Sequence, residues 1–472
     1  MRWLLALLLM LPAPAQAQAQ SLEAQVRALL AEAQGARFGL VVIDESGREL
    51  LAIAPDERFV PASNTKLFTT ALALATLRVD GPDNAGGAAV RLEGGATPDV
   101  ILVGNGDARL SSAPDCITDC LATLADAIAA RTRVVGDVIG DDSLFPDERW
   151  GAGVSWEDIP TRSGTATSAL SLDDNELVLT VTPGAPVRVD GPAYLAIDNR
   201  VVVGAVTDLA TTRAINARTL RVTGTIAADA QPQQLRLGID DPAHYAAWRL
   251  AELLRLRGVR VTGRIDVRHR PLSPGDDPAV RGGTPPARPP APANLARLTP
   301  PPLIEDVRTV NKVSQNLHAE LLLRRAALVE GTGSIADGQA AIMTMLARAG
   351  VEPWRVSLSD GSGMSNYNRV SPRGLARLLR WTTGQPWGTA FRATLPVGGV
   401  DGTLARRFKG TPLEGRVFAK TGTFSSVAAL SGFMTAASGR TLIFSSFVND
   451  IPSGTRVTGA VEQALNLIAA AN

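Results

Sequence analysis

Pro61-Ala62-Ser63-Asn64-Thr65-Lys66 is the stretch on which the interpretation of this sequence depends. A serine three residues before a lysine places both side chains on one face of a helix, within reach of each other. The pair combines a nucleophilic hydroxyl with an amine that can serve as its base. Because Ser-x-x-Lys also occurs by chance in long chains, the prediction depends on two further motifs downstream.

The second motif, Ser314-Gln315-Asn316, lies far along the chain. Ser314 can bridge Lys66 to a leaving amine and hand that amine a proton, and Asn316 can hydrogen-bond a substrate amide carbonyl. The structural alternative is that this serine and asparagine only cap the next helix. The motif is therefore informative only in combination with the other two.

The third motif, Lys420-Thr421-Gly422-Thr423, completes the set. Its lysine and threonine hydroxyls can bind a terminal carboxylate, and Gly422 lets a substrate backbone approach closely. The backbone N–H groups of Ser63 and Thr423 are expected to form an oxyanion hole. Burial and the nearby lysine charge would lower the pKa of Lys66 enough for it to act as a base. Three motifs in this order predict a serine acyl-transfer enzyme.

Other chemistries find little support in the composition. A net charge of +1 and 4% aromatic residues do not indicate a nucleic-acid partner. With 2 Cys and 3 His, no zinc cluster is expected, and no metal or other cofactor is predicted. No nucleophile elbow accompanies His244, His269 or His318, and His318 is expected to be a packing or surface residue.

The N-terminus has the pattern of a secretory signal peptide. Arg2 precedes an apolar run over 3–11, and small residues come next, so we predict a signal peptide over 1–19 with cleavage after Ala17 or Ala19. A short buried helix is the alternative. No later segment is apolar for long enough to span a bilayer, so a periplasmic protein without a transmembrane anchor is expected.

Cys116 and Cys120 are the only cysteines. Export to an oxidising compartment would permit a bridge between them. On a regular helix, however, a bridge at this spacing would be strained. The sequence leaves a local disulfide and two free thiols as open alternatives.

The two ends of the chain are predicted to fold together. A hairpin at 38–53 precedes the Ser63 helix, and strand patterns recur at 416–420, 427–435 and 441–449. A helical region over 304–327, broken at Ser314, and further helices lie between these ends. We therefore predict an α/β fold in which helices cover one sheet formed from both ends of the chain.

The intervening sequence is predicted to contain two insertions, one nested inside the other. Helix and strand patterns, with single strands at 134–139 and 259–267, flank a stretch of many short strands. The predicted limits are 20–80 and 290–472 for a catalytic domain, 81–165 and 238–275 for a first α/β insertion, 166–237 for a mostly β second insertion, and 271–302 for a Pro-rich linker.

Further stretches accompany the three motifs: Gly104-Asn105-Gly106-Asp107, Ala169-Leu170-Ser171-Leu172-Asp173-Asp174-Asn175, Asp360-Gly361-Ser362-Gly363-Met364-Ser365 and Val400-Asp401-Gly402-Thr403-Leu404. In these the chain resembles the class C low-molecular-mass penicillin-binding proteins, which are D-alanyl-D-alanine carboxypeptidases and endopeptidases. The resemblance implies a β-lactamase/transpeptidase-like domain, with a five-stranded antiparallel sheet between helices and two inserted domains.

The resemblance also implies an activity. Such enzymes cleave the terminal D-Ala of peptidoglycan stem peptides, or cross-links between stems, through an acyl-enzyme, and β-lactams inhibit them covalently. Family members use an aspartate of the first insertion to bind the free amine of the diamino acid, and Asp158 is the candidate here. A solvated loop acid is the alternative for that residue. Two positions depart from the usual pattern: Gln315 stands where Asp is usual, and Phe424 where Leu is common.

Two other functions remain as alternatives. A serine β-lactamase would need a glutamate to activate the deacylating water, and none is evident. The second alternative is a non-catalytic wall-binding protein of the same fold. The intact motif residues argue against it, because such a protein would not need catalytic residues. The balance between carboxypeptidase and endopeptidase activity is left open.

Overall fold

A computed structural model describes residues 21–285, 287–288 and 290–472. The predicted signal peptide at 1–19 lies outside the described residues. Within the described ranges, no helix combines the length and apolar character needed to cross a membrane.

One five-stranded antiparallel sheet joins the two ends of the chain, as predicted. Its strands are β1 (Arg37–Asp44), β2 (Glu49–Ile53), β18 (Val417–Phe424), β19 (Val427–Thr435) and β20 (Thr441–Asn449). They lie in the order β18-β19-β20-β1-β2, with Leu40 opposite Ser446 where β1 meets β20. Because helices cover both faces, the central strands are buried almost continuously rather than at alternate residues.

Helices cover both faces of this sheet. The bounds are α1 (Leu22–Ala31), α2 (Thr65–Thr76), α6 (Ile304–Lys312), α7 (Asn316–Ala327), α8 (Ile335–Arg348), α9 (Pro372–Thr383), α10 (Gly388–Thr394) and α11 (Thr458–Ala471). The terminal helices α1 and α11 pack on one face, and the others contribute to the core on the opposite face. A short hairpin, β16 (Val356–Ser357) and β17 (Arg369–Val370), lies between α8 and α9.

The first insertion contains a mixed sheet with helices packed on it. Its elements are β3 (Ala89–Glu93), β4 (Asp99–Val103), α3 (Leu121–Arg131), β5 (Val134–Val135), β6 (Val138–Pro146), α4 (Pro242–Leu256), β13 (Arg260–Val261), β14 (Ile265–Arg270), α5 (Pro278–Arg281) and β15 (Ala296–Arg297). The five-stranded order is β14-β6-β4-β3-β15, and β5 pairs with β13. The strand β15 thus brings part of the Pro-rich segment to this sheet.

The second insertion is built from strands alone, apart from short 3-10 turns. They are β7 (Glu176–Thr182), β8 (Arg188–Asp190), β9 (Ala196–Gly204), β10 (Asp208–Thr212), β11 (Thr219–Ala227) and β12 (Gln233–Gly238). Two three-stranded sheets, β10-β11-β9 and β12-β7-β8, share one apolar core with the first insertion. The nested α/β and β organisation predicted from sequence is confirmed at the level of fold class.

Two predicted single strands are each divided in two. The predicted strand at 134–139 is β5 and β6, and the one at 259–267 is β13 and β14. Both divisions contain a glycine, and the two breaks hydrogen-bond to each other through Gly263 N–H and the Gly136 carbonyl, at 3.1 Å. Because the two breaks are paired, both strands are interrupted at the same position along the sheet.

Cys116 and Cys120 form a disulfide, which settles the alternatives left open by the sequence. The bridge lies in the loop before α3 rather than on a helix, with Cα atoms 5.8 Å apart. Asp119 inside this loop has a φ of 59°, so a non-helical backbone brings the two cysteines together.

Candidate active site

Ser63 enters the site on a strained turn. A 3-10 turn over Ala62–Asn64 runs directly into α2, so Ser63 and Lys66 share one helical face as predicted. Ala62 is buried with a φ of 46°, a conformation that non-glycine residues rarely adopt. The turn is fixed from outside, because Asn64 Nδ2 donates to the Lys420 carbonyl at 3.0 Å. Backbone strain of this kind persists where the surroundings enforce it.

Lys66 is completely buried, and its amine contacts three oxygens. Nζ lies 2.9 Å from Ser63 Oγ, 2.6 Å from Asn316 Oδ1 and 2.5 Å from the Ser362 carbonyl oxygen. The amide and carbonyl oxygens can only accept hydrogen bonds. A neutral amine therefore donates its two N–H groups to Asn316 and Ser362, and its lone pair faces the Ser63 hydroxyl.

Burial is also what tunes the basicity of Lys66. It lowers the pKa of this amine to about 7, against the opposing fields of Asp360 and Glu320. Glu320 is partly buried, and its carboxylate accepts from the backbone N–H groups of Gly361 and Ser362. Burial and the Asp360 charge raise the pKa of Glu320 to about 7. These acids limit how far the pKa of Lys66 falls.

The Asp360-Gly361-Ser362-Gly363 segment holds the outer side of Lys66. Asp360 accepts from the backbone N–H groups of Gly363 and Ser365 at 2.9 and 2.6 Å, which closes the loop. Gly363 has a φ of 88°, and a Cβ there would lie 2.0 Å from the Ala62 carbonyl oxygen. The family resemblance identified this segment in the sequence, whereas the Lys66 contact at Ser362 is apparent only in three dimensions.

Ser314 lies in the break between α6 and α7, and Asn316 is the first residue of α7. The predicted interruption of the helix is confirmed, and Ser314 lies in it with a φ of 68°. Lys420 Nζ donates to Ser314 Oγ at 2.8 Å. Asn316 Nδ2 donates to the Ser163 carbonyl at 2.8 Å, so a segment preceding the second insertion holds the amide that contacts Lys66.

Lys420, Thr421, Gly422 and Thr423 lie within β18, at the edge of the central sheet. A Cβ on Gly422 would lie 3.0 Å from Ser63 N and 2.8 Å from the Pro61 carbonyl oxygen, so only glycine lets the strand pack this close. Burial, with the Lys66 charge, lowers the pKa of Lys420. Thr421 Oγ1 donates to Thr403 Oγ1 at 2.8 Å.

A cavity of about 470 Å³ opens in front of the Ser63 hydroxyl. Ser63, Ser314, Asn316, Thr423 and Phe424 line it, so the three motifs converge on one space. The segment that precedes β7 adds Arg162, Ser163 and Asp174 to its wall. No sequence pattern had indicated the first two of these three residues.

Asp158 is not among the residues that line this cavity. It lies on the loop that leads to Arg162 and Ser163, and its own carbonyl accepts from the Thr161 N–H at 2.9 Å. Within the described residues no cation pairs with its half-buried side chain. Burial, with the neighbouring Glu157 charge, raises the pKa of Asp158.

Sequence comparisons give a consistent result over almost the full chain. The D-Ala-D-Ala carboxypeptidase 3 (S13) family matches residues 22–472. A D-alanyl-D-alanine carboxypeptidase of Actinomadura sp. (strain R39) is 35% identical over 463 residues, which cover 92% of this chain and 81% of the relative. The D-alanyl-D-alanine carboxypeptidase DacB of Haemophilus influenzae is 26% identical over 441 residues, covering 89% and 87%.

Solved structures confirm the fold. The crystal structure of penicillin binding protein 4 (dacB) from Haemophilus influenzae is similar with a TM-score of 0.78 and 23% identity, covering 94% of this chain and 97% of that one. The same protein in complex with a β-lactam is similar with a TM-score of 0.73 and 22% identity, covering 94% and 98%. A transpeptidase-like domain with inserted domains is thus the architecture of this chain.

Proposed function

We propose that Ser63 is the acylated nucleophile of this enzyme, because the chain belongs to the D-Ala-D-Ala carboxypeptidase 3 (S13) family and is a serine D,D-peptidase. One observation carries the proposal: Lys66 Nζ lies 2.9 Å from Ser63 Oγ, while its other two contacts are oxygens that only accept. An amine so placed has its lone pair available for the serine proton alone.

In the proposed acylation, Ser63 Oγ attacks the carbonyl carbon of a D-alanyl peptide bond while Lys66 takes the hydroxyl proton. The backbone N–H groups of Ser63 and Thr423 stabilise the oxyanion that forms, each worth about 3 kcal/mol at the transition state. Ser314 then relays the proton to the leaving amine, the C–N bond breaks, and the acyl group remains on Ser63. Water hydrolyses this ester and regenerates the hydroxyl.

The leaving group is proposed to be held by its carboxylate. Lys420 supplies the positive charge, and the hydroxyls of Thr421 and Thr423 supply donors on one edge of β18. A free carboxylate next to the scissile bond is present in a terminal D-Ala and in the amino acid of a D-alanyl cross-link. The same clamp therefore serves carboxypeptidase and endopeptidase reactions on peptidoglycan stem peptides.

The β-lactams are proposed to react at the same serine. Their strained amide is opened by the same attack, but the amine stays tethered to the acyl group and cannot diffuse away. We expect benzylpenicillin to add its full mass to the protein, on the peptide that contains Ser63, and to be released slowly. Mass spectrometry of the intact and digested protein tests this; rapid turnover of benzylpenicillin would instead identify a β-lactamase.

Acylation is expected to depend on pH through Lys66. The base is the neutral amine and its pKa is about 7, so the acylation rate should rise as pH increases from 5.5 to 7 and be level between pH 8 and 9. Below the pKa the rise should approach about tenfold per pH unit. Stopped-flow measurement of acylation by a chromogenic cephalosporin checks it. A rate independent of pH over this range would contradict the assignment of Lys66.

Asp158 is proposed to bind the free ammonium of the diamino acid in the stem peptide. Its half-buried carboxylate has no cationic partner among the described residues, and the loop that carries it continues into the cavity wall. In Asp158→Asn, kcat/KM for a substrate with a free amine is expected to fall about 10-fold, the value of one charge-assisted contact. An N-acetylated substrate should be cleaved equally by both proteins. Equal loss on both substrates would assign Asp158 to structure instead.

We also propose that the protein is exported to the periplasm. The predicted signal peptide at 1–19 and the disulfide between Cys116 and Cys120 both support export, because disulfides persist in oxidising compartments. Mass spectrometry of purified muropeptides after incubation with the enzyme would determine the reaction. Loss of one terminal D-Ala indicates carboxypeptidase activity, and conversion of cross-linked dimers to monomers indicates endopeptidase activity.

A further inference from the structure

His318 is buried between two carboxylates, directly behind the Ser314-Gln315-Asn316 motif. Its Nε2 lies 2.9 Å from Asp174 Oδ1 and its Nδ1 lies 3.0 Å from Asp306 Oδ1. Only 5% of the residue is exposed. From the sequence we expected a packing or surface residue, and the structure instead shows a doubly paired ring in the first turn of α7.

The two carboxylates reach His318 from opposite sides of the motif. Asp306 comes from α6, which precedes Ser314, so the Asp306–His318 pair closes the turn between α6 and α7. Asp174 comes from the segment that precedes β7 and lies in the cavity wall beside Gln315. The turn that holds Ser314 and Asn316 is therefore fixed by two contacts of His318: one to Asp306 of α6, and one to Asp174 from a separate segment.

The backbone around Asp174 has an unusual, left-handed conformation. Asp173, Asp174 and Asn175 have φ values of 52°, 55° and 52°, three consecutive left-handed residues, none of them glycine. Such residues each cost roughly 1–2 kcal/mol. Neighbouring contacts enforce the conformation: Asp173 accepts from Ser112 N–H at 2.7 Å, and Asn175 Oδ1 accepts from Leu172 N–H at 3.0 Å. Backbone strain that neighbouring contacts enforce is typical of functional sites, and this turn shares a cavity wall with Ser63.

We propose that His318 is a positioning residue that, through Asp306 and Asp174, fixes the turn bearing Ser314 and Asn316 and couples the inserted domains to the acylation step. The proposal rests on the proposed acylation at Ser63. It assigns the left-handed turn at 173–175 a role in the reaction, because that turn presents Asp174 both to His318 and to the wall of the cavity.

The charges around His318 favour its protonated form. Burial alone would keep the ring neutral, but the hydrogen bond to Asp174 and the Asp306 carboxylate, 3.0 Å from Nδ1, outweigh it and raise the pKa to about 9. Asp306 also accepts from Arg109 Nε at 2.9 Å, which ties the first insertion to the same carboxylate. Arg162 faces Asp174 from the cavity side. Asp107 and Asp119 lie close enough to Asp306 to interact with its charge, and Glu305 pairs with Arg109.

The test compares His318→Gln with a matched control elsewhere in the chain. His269 is a second ring held between two carboxylates, Asp142 at 2.8 Å and Asp241 at 3.4 Å, but it lies in the first insertion, away from the Ser314 motif. Acylation by a fluorescent penicillin should slow about 10- to 100-fold in His318→Gln, the size expected of a slightly misplaced reactive group. His269→Gln should lose thermal stability but acylate at nearly the unaltered rate.

A second variant measures positioning by its pH dependence. Asp174 is partly exposed, so Asp174→Asn should fold, and it removes one of the two carboxylates that keep His318 protonated. The acylation rate of the unaltered enzyme should decline above pH 9, and in Asp174→Asn that decline should move to lower pH. Equal slowing of His318→Gln and His269→Gln, or an unmoved decline in Asp174→Asn, would overturn the proposal. Failure of the Ser63 assignment is separate, since it would show as labelling that survives in Ser63→Ala.

Discussion

Replacing Ser63 with alanine is expected to abolish covalent labelling by penicillin and to reduce release of D-Ala by about 10⁴-fold or more, because no acyl-enzyme can form without the nucleophile. The fold should be unaffected, since Oγ faces a cavity and makes its one described contact with Lys66. Gel fluorescence after incubation with a fluorescent penicillin measures the label. Mass spectrometry of a pentapeptide substrate measures the hydrolysis.

Two further serines of the cavity provide matched controls. Ser163 contributes its backbone carbonyl, at 2.8 Å from Asn316 Nδ2, so Ser163→Ala should keep full labelling. Ser314→Ala should label more slowly but still to completion, because the relay is lost and the nucleophile is retained. Stoichiometric labelling of Ser63→Ala, or absence of label in Ser163→Ala, would assign the nucleophile to another residue.

The chemistry of this site could be predicted because its residues keep fixed spacings within the chain. Ser63 and Lys66 need only a helix to meet, and Ser314 and Asn316 need only the turn between two helices. The convergence of these segments with Lys420 was an expectation based on motif order and family resemblance. The 2.8 Å contact between Lys420 Nζ and Ser314 Oγ brings the third motif to the second.

The fold was predictable where hydrophobic patterns are long. The hairpin of β1 and β2 and the strands β19 and β20 are mostly apolar over their five to nine residues, and they stand out against polar turns. The short strands β5 and β13 have two residues each and depend on pairing between remote segments. No local pattern marks such an element, so the division of the predicted strands at Gly136 and Gly263 required the structure.

The surroundings of the reactive groups were the least predictable part. Ser362 donates nothing by its side chain to Lys66, since the contact uses its backbone carbonyl, which every residue type possesses. Glu320 and His318 lie on a helix whose pattern is that of an ordinary buried element. Gly361 and Ser362 lie 41 and 42 residues from Glu320, and Asp174 lies 144 residues from His318, so neither type nor spacing could reveal these contacts.

Substituting Lys66 with methionine is expected to slow acylation by about 10³- to 10⁴-fold, the upper range for losing a general base next to a nucleophile. Methionine keeps the unbranched apolar stem that fills this buried position, so the fold should be retained. Stopped-flow acylation by a chromogenic cephalosporin gives the rate. The residual reaction should no longer rise between pH 5.5 and 7, because the group that titrates there has been removed.

Lys420→Met is the comparison that makes this result decisive, because both lysines are buried and each contacts a serine hydroxyl. If Lys66 is the base and Lys420 the carboxylate partner, Lys420→Met should mainly raise KM for peptides that end in a free carboxylate. The rise in rate with pH should persist in that variant, since Lys66 still titrates. The opposite pattern, with the pH dependence lost in Lys420→Met and kept in Lys66→Met, would exchange the two roles. The geometry favours the first assignment, because Lys420 Nζ is directed to Ser314 Oγ and only Lys66 Nζ is within 3 Å of Ser63 Oγ among the described contacts.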